Sequence, residues 1–104
     1  MLTSVTRVGG KIVLKVHEDI MDMKSGEDFK EALMRIYDEG EKEVVLDLRE
    51  VNLVNSHGIG KILMFYKRFQ EAGGQMYMAP LQGSIKETFE SLMLDKLIPS
   101  FSLS

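Results

Sequence analysis

Apolar and polar positions along this chain alternate with two different periods, and the switches between them mark out the elements. Leu2 to Val8 and Lys11 to Val16 flank Gly9-Gly10, a pair that tolerates positive φ at both turn positions and so predicts a β-hairpin. Val13 and Leu14 make the second strand apolar on both faces, which predicts an interior strand and leaves the first strand as the sheet edge. After a loop through His17 to Lys24, Ser25-Gly26-Glu27-Asp28 reads as a helix start, with an acid three residues after Ser25. Phe29, Leu33, Ile36 and Tyr37 then form one stripe, and Gly40 ends the helix. Glu43 to Leu48 is a β-branched run of the kind that fills a parallel strand, and Val51-Asn52-Leu53-Val54 carries the chain from its end. Ile59, Ile62, Leu63, Tyr66 and Phe69 recur at helical spacing, predicting a helix from Ser56 to Ala72 closed by Gly73-Gly74. Gln75 to Ala79 is a further strand bounded by Pro80. A third helix is expected from Gly83 to Leu94, with Ile85, Phe89, Leu92 and Met93 facing inward, and Leu97-Ile98 is expected to add a last short strand. Strands alternating with helices through short connections predict an α/β fold: a mixed, mainly parallel sheet with an N-terminal antiparallel edge strand and about three packed helices.

Composition narrows this picture. A chain of 104 residues, 44% hydrophobic and 28% charged, fits a single domain spanning residues 1–104 with one real core. No segment approaches the roughly 18 uninterrupted apolar residues of a membrane span. The N-terminus has neither the basic start nor the long apolar block of a signal peptide, and the chain has no cysteine. Thiol chemistry and disulfides are thereby excluded, and a cytoplasmic location without membrane attachment is expected. Thirteen basic against sixteen acidic residues give a formal charge of −3, with no basic run longer than Lys67-Arg68. Direct nucleic-acid binding, which needs a concentrated cationic face, is not expected.

The chemistry gathers at Asn55-Ser56-His57-Gly58-Ile59-Gly60, where a buried strand hands over to an amphipathic helix. In α/β sheets function collects beyond the carboxyl ends of the strands. Ser56 stands at a position where its hydroxyl would cap the helix, and the same unpaired N–H groups would accommodate a phosphoryl group. Gly58 and Gly60 each cost a helix about 1 kcal/mol relative to Ala. Either the first turn packs tightly on the sheet, or a partner's backbone comes close there. Gly58-Ile59-Gly60-Lys61 lacks the loop length and Lys-Ser/Thr ending of a phosphate-binding loop. Ser56, His57 and Asp47 do not form a nucleophilic triad at this spacing, so no catalytic set is expected. His17 and His57 could meet at one end of the sheet, but with no third placed ligand they read as polar surface groups, and no metal or cofactor is expected. Asp19, Asp22 and Asp47 are candidates to gather around Ser56, although solvated loop acids would look the same. Met21 and Met23 are candidates for an adaptable contact surface, whereas Met34, Met64, Met76, Met78 and Met93 are expected to pack in or against the core.

Val44-Val45-Leu46-Asp47-Leu48 followed by Asn55-Ser56-His57-Gly58-Ile59-Gly60 resembles the hydrophobic strand and Asp-Ser-X-Gly-Leu/Ile-Gly motif of the STAS domain, in particular the small stand-alone anti-sigma factor antagonists of bacteria. Ala72-Gly73-Gly74, the strand after it, Ile85 to Phe89 and Leu92 are also similar, and Met21-Asp22 resembles the Leu-Asp of the family's first loop. The resemblance implies that Ser56 is phosphorylated by a serine kinase that doubles as the anti-sigma factor. It implies that the unmodified protein binds this kinase and frees the sigma factor, whereas the phosphoprotein is released until a serine phosphatase resets it. The implied binding surface is Asp22, Asn55, Ser56, His57, Gly58, Ile59 and Gly60. The chain departs from the motif at Asn55, where the family has Asp, and at His57, where a small residue is common. These departures define the alternative: a STAS module that binds a protein or senses a ligand without switching.

Overall fold

The computed structural model describes residues 3–103. The elements are β1 (Thr3–Val8), β2 (Lys11–Val16), α1 (Met23–Asp38), β3 (Glu43–Asp47), α2 (Ser56–Glu71), β4 (Gln75–Met78), α3 (Gly83–Ser91) and α4 (Leu94–Leu97). Leu2, expected to begin the first strand, lies outside the described residues. The four strands lie in chain order, with β1 antiparallel to β2 and the β2–β3 and β3–β4 pairs parallel. Gly9 and Gly10 take φ of 55° and 81°, the mirror-image turn that closes a two-residue hairpin. β1 is therefore the edge, and it is exposed along most of its length.

One layer of helices covers one face of the sheet. Leu14 and Val16 of β2, Val44 and Leu46 of β3 and Met76 of β4 meet Phe29, Leu33 and Ile36 of α1 and Ile62, Phe65 and Phe69 of α2. Phe65, fully buried, takes the inward place that the helical spacing assigned to Leu63, which is 36% exposed. Burying each such side chain contributes about 1.5–3 kcal/mol. Val13, Val45 and Ala79 point to the opposite face and are covered by Tyr77, Phe101 and Leu103. Burial on both faces is why β2 and β3 read as continuous apolar runs.

The C-terminal quarter departs from expectation. The third helix ends at Ser91, and Met93 adopts the left-handed conformation with φ 60°. Leu92 and Met93, expected inside, are 51% and 66% exposed. The chain restarts as the single turn α4, so Leu97 is helical, and Ile98 follows it as its extended cap rather than opening a strand. The added sheet pairing comes two residues later: the Met78 N–H donates to the Pro99 carbonyl at 2.9 Å and the Phe101 N–H to the Met78 carbonyl at 3.0 Å. Helical periodicity continued through Leu92 because nothing in it reports a left-handed break at a non-glycine residue.

Candidate functional site

Two loops leave the carboxyl ends of β2 and β3 and are joined by a short parallel bridge. The Ile20 N–H donates to the Leu53 carbonyl at 3.0 Å, and the Asn55 N–H to the Ile20 carbonyl at 2.8 Å. Asp19 reinforces the junction by accepting from the Asn52 and Leu53 N–H groups at 2.7 and 3.2 Å. This pairing sets the starts of α1 and α2 side by side. The Ser84 hydroxyl donates to the Asn52 carbonyl at 3.3 Å, which ties the start of α3 to the same end of the sheet.

The starts of α1 and α2 are each capped by a residue other than the serine expected. On α1 the cap is Asp22: its Oδ1 accepts from the Ser25 N–H at 2.8 Å, while the Ser25 hydroxyl accepts from the Asp22 N–H at 3.2 Å. Ser25 is thus the third helical residue of a reciprocal box, and the helix begins at Met23, not at Ser25. These bonds, led by the Ser25 backbone N–H, hold the Asp22 carboxyl below the ordinary carboxylate range. On α2 the cap is Asn55, whose Oδ1 accepts from the Gly58 N–H at 2.8 Å. An amide oxygen caps as well as a carboxylate oxygen does. Ser56 is therefore the first residue inside the helix rather than its cap. It is exposed, and among the described residues its hydroxyl takes part in no hydrogen bond.

The residues after Ser56 divide by face. His57 and Gly60 are exposed, while Gly58 and Ile59 turn inward. A Cβ on Gly58 would stand 2.6 Å from Val54 Cγ1 and 3.0 Å from Ile20 Cγ2, whereas one on Gly60 would meet nothing within 4 Å. Gly58 thus serves the packing of the first turn, and only Gly60 leaves room for an approaching chain.

Two depressions adjoin at His57 and Lys61. One, about 380 Å³, is walled by Met21, Asp22, Met23, Glu27 and Asn55. The other, about 320 Å³, is walled by Lys30, Ser56, Gly60 and Met64. Met21 and Met23 are 53% and 84% exposed, an unbranched apolar surface that adapts to what it touches. Of the sequence-derived residues, the fold brings Asp22, Asn55, Ser56, His57 and Gly60 to one surface. Lys61 lies one turn beyond His57, so helical spacing contains its signal. Lys30 belongs to another helix, and only the packing of α1 beside α2 brings it in.

The acids do not gather around the hydroxyl. Asp19 holds the loop junction, Asp22 caps α1, and Asp47 is 1% exposed and bound to Arg49. Burial opposes ionisation of Asp47, but the Arg49 guanidinium and N–H overcome it and hold the carboxyl below its ordinary range. The histidines also part company, because the ring of His17 engages Ser4 at 2.8 Å and Glu50 at 3.1 Å. No three His, Asp or Glu form a metal-holding group among the described residues.

Known proteins share this fold. The model of the STAS domain matches residues 3–103. BtrV of Bordetella bronchiseptica, assigned as an anti-sigma factor antagonist, is 23% identical over 90 residues, covering 86% of this chain and 77% of that protein. An anti-sigma factor antagonist from Mycobacterium paratuberculosis superposes with a TM-score of 0.82 at 21% identity, over 96% of this chain and 84% of that one. SpoIIAA of Bacillus in its phosphorylated form superposes with a TM-score of 0.74 at 12% identity, over 98% of this chain and 93% of that one.

Proposed function

The chain belongs to the STAS domain family, and from that membership we propose that it acts as an anti-sigma factor antagonist switched by reversible phosphorylation of Ser56. The observation that carries the reading is the Ser56 hydroxyl: exposed, without a hydrogen bond among the described residues, and relieved of capping by Asn55. A kinase can take such a hydroxyl without dismantling the helix start. The γ-phosphoryl group of a nucleoside triphosphate passes to Ser56 Oγ, the hydroxyl proton leaves with the kinase's base, and the nucleoside diphosphate departs.

Unmodified, the protein binds an anti-sigma factor serine kinase through Asp22, Ser56, His57 and Gly60, with Met21 and Met23 adapting around them. Asn55, Gly58 and Ile59 hold that surface in place from below. The bound kinase releases its sigma factor. A phosphoryl group adds about −1.5 to −2 charges at the middle of this contact, where repulsion and desolvation oppose binding. A serine phosphatase restores the binding form. The protein is substrate and binding module in this cycle, not an enzyme, and works in the cytoplasm. SpoIIAA, solved in a phosphorylated form with the same fold, supports the reading.

The test is peptide mass spectrometry of the protein from its own cells, with and without phosphatase, together with binding of Ser56→Ala and Ser56→Asp to anti-sigma factor kinases of those cells. A phosphatase-sensitive group on Ser56 and weakened binding of Ser56→Asp are expected. Equal binding by the two variants, with no phosphate on Ser56 under any growth condition, would instead support the non-switching module.

A further inference from the structure

Lys30 and Lys61 differ from several other lysines of this chain in having no carboxylate or carbonyl partner among the described residues. Lys11, Lys15 and Lys24 each pair with a carboxylate, and Lys42 donates to the Ala72 carbonyl at 2.7 Å. Lys30 and Lys61 form neither kind of contact among the described residues, yet both wall the 320 Å³ depression that contains Ser56. They come from different helices. Lys61 reaches across from α2 to lie over Gly26 of α1, its Nζ 3.8 Å from where a Cβ on Gly26 would stand. Lys30 follows Gly26 by one turn of α1, so the two side chains approach the depression from opposite helices.

We infer that Lys30 and Lys61 are an internal receptor for the phosphoryl group of modified Ser56, an inference that rests on the phosphorylation proposed above. A phosphoryl group offers three strong acceptor oxygens, enough for one ammonium from each helix. Its capture ties α2 to α1 across the depression. It also withdraws two unpaired cations from the surface that an acidic group of the partner would meet. Modification then weakens binding in two ways: a dianion appears in the contact, and the cations beside it are consumed. Lys61 shares the adjoining depression with the carboxylates of Asp22 and Glu27, and both depressions with His57. Asp22 is committed to the cap of α1.

The test uses the full chain carrying phosphoserine at position 56, installed by semisynthesis so that no kinase is needed. Phosphorus NMR follows the second ionisation of the phosphate in the otherwise unchanged chain and in Lys30→Gln/Lys61→Gln. Both are repeated with His57→Gln, because His57 walls the same depression as Ser56 and the two lysines. Contact with the lysines favours the dianion, so the midpoint is expected below the free value near 6 by about half a unit per lysine. It returns toward 6 in the double variant. The thermal midpoint is expected to rise on phosphorylation, and to rise further with the lysines present than in the double variant, since the helix N-terminus stabilises the phosphate in both. The unmodified double variant, melting as the unmodified parent does, shows that the fold is intact. Equal ionisation midpoints with and without the two lysines would overturn the inference. A lysine-dependent midpoint in the semisynthetic protein, alongside no phosphate on protein from cells, would sustain the receptor and refute the kinase cycle, so the two failures are told apart.

Discussion

Asn55→Ala and Ser56→Ala form a paired perturbation in which adjacent residues exchange their expected roles. Asn55 Oδ1 accepts from the Gly58 N–H at 2.8 Å, and Gly58 is buried against Val54 and Ile20. Truncation to Ala leaves a donor that water reaches poorly. Loss of a helix cap costs about 0.5–2 kcal/mol, and the burial of this donor places the cost in the upper half of that range, about 1–2 kcal/mol. For a domain of this size that is a fall of about 5–10 °C in thermal midpoint. Ser56 donates and accepts nothing among the described residues, so Ser56→Ala is expected to stay within about 0.5 kcal/mol of the parent. Asn55→Asp keeps the cap and adds a negative charge at the helix N-terminus, a gain of about 0.3–1 kcal/mol above the carboxyl pKa. Urea unfolding measures all three, with an unchanged denaturant slope showing that only the native state has been altered. If Ser56→Ala loses as much as Asn55→Ala, or Asn55→Ala loses nothing, the cap assignment is wrong.

The two glycines of the site are expected to respond in opposite directions. Gly58→Ala brings a Cβ to 2.6 Å from Val54 Cγ1, and overpacking of about 1–3 kcal/mol outweighs the roughly 1 kcal/mol gain in helix propensity, giving net destabilisation by urea unfolding. Gly60→Ala meets open space and raises stability by up to about 1 kcal/mol, while weakening capture by the anti-sigma factor kinase in a pull-down; unchanged capture would show that the partner does not approach at Gly60. Arg49→Ala strips the buried Asp47 of two side-chain bonds of 2.9 Å at a cost of about 1–3 kcal/mol. The pH dependence follows from the depressed Asp47 pKa: its contribution is complete above the unfolded carboxyl pKa near 3.9 and is lost as pH falls through the lower folded value. Arg49→Ala should flatten that acid-side slope, and an unchanged slope in acid titrations of stability would refute the pairing. Phe101→Ala uncovers Val13 and Val45 on the second face and should cost about 1–3 kcal/mol, measured as an earlier thermal midpoint.

Much of the architecture was determined by local chemistry that the sequence displays. Gly9-Gly10 admits positive φ twice, so the hairpin follows; apolar positions on both faces of Val13-Leu14 and Val44-Val45-Leu46 require central strands; and Phe29, Leu33 and Ile36 share one helical face. The Asn55 to Gly60 segment was legible as the candidate site because its glycines and hydroxyl break the helical pattern where a strand ends. Tertiary structure decided what depends on neighbours distant in the chain. Asn55 rather than Ser56 became the cap because the Ile20–Val54 bridge fixes the entry of the chain into α2, and both residue types cap equally well in isolation. Gly58 and Gly60 look alike in sequence, but Val54 and Ile20 crowd only one of them. Asp19, Asp22 and Asp47 were equivalent loop acids until backbone N–H groups and Arg49 claimed each separately. Lys30 carries no local mark of the site at all: its place beside Ser56 exists only because α1 and α2 pack side by side on one face of the sheet, and sequence spacing encodes no distance between separate helices.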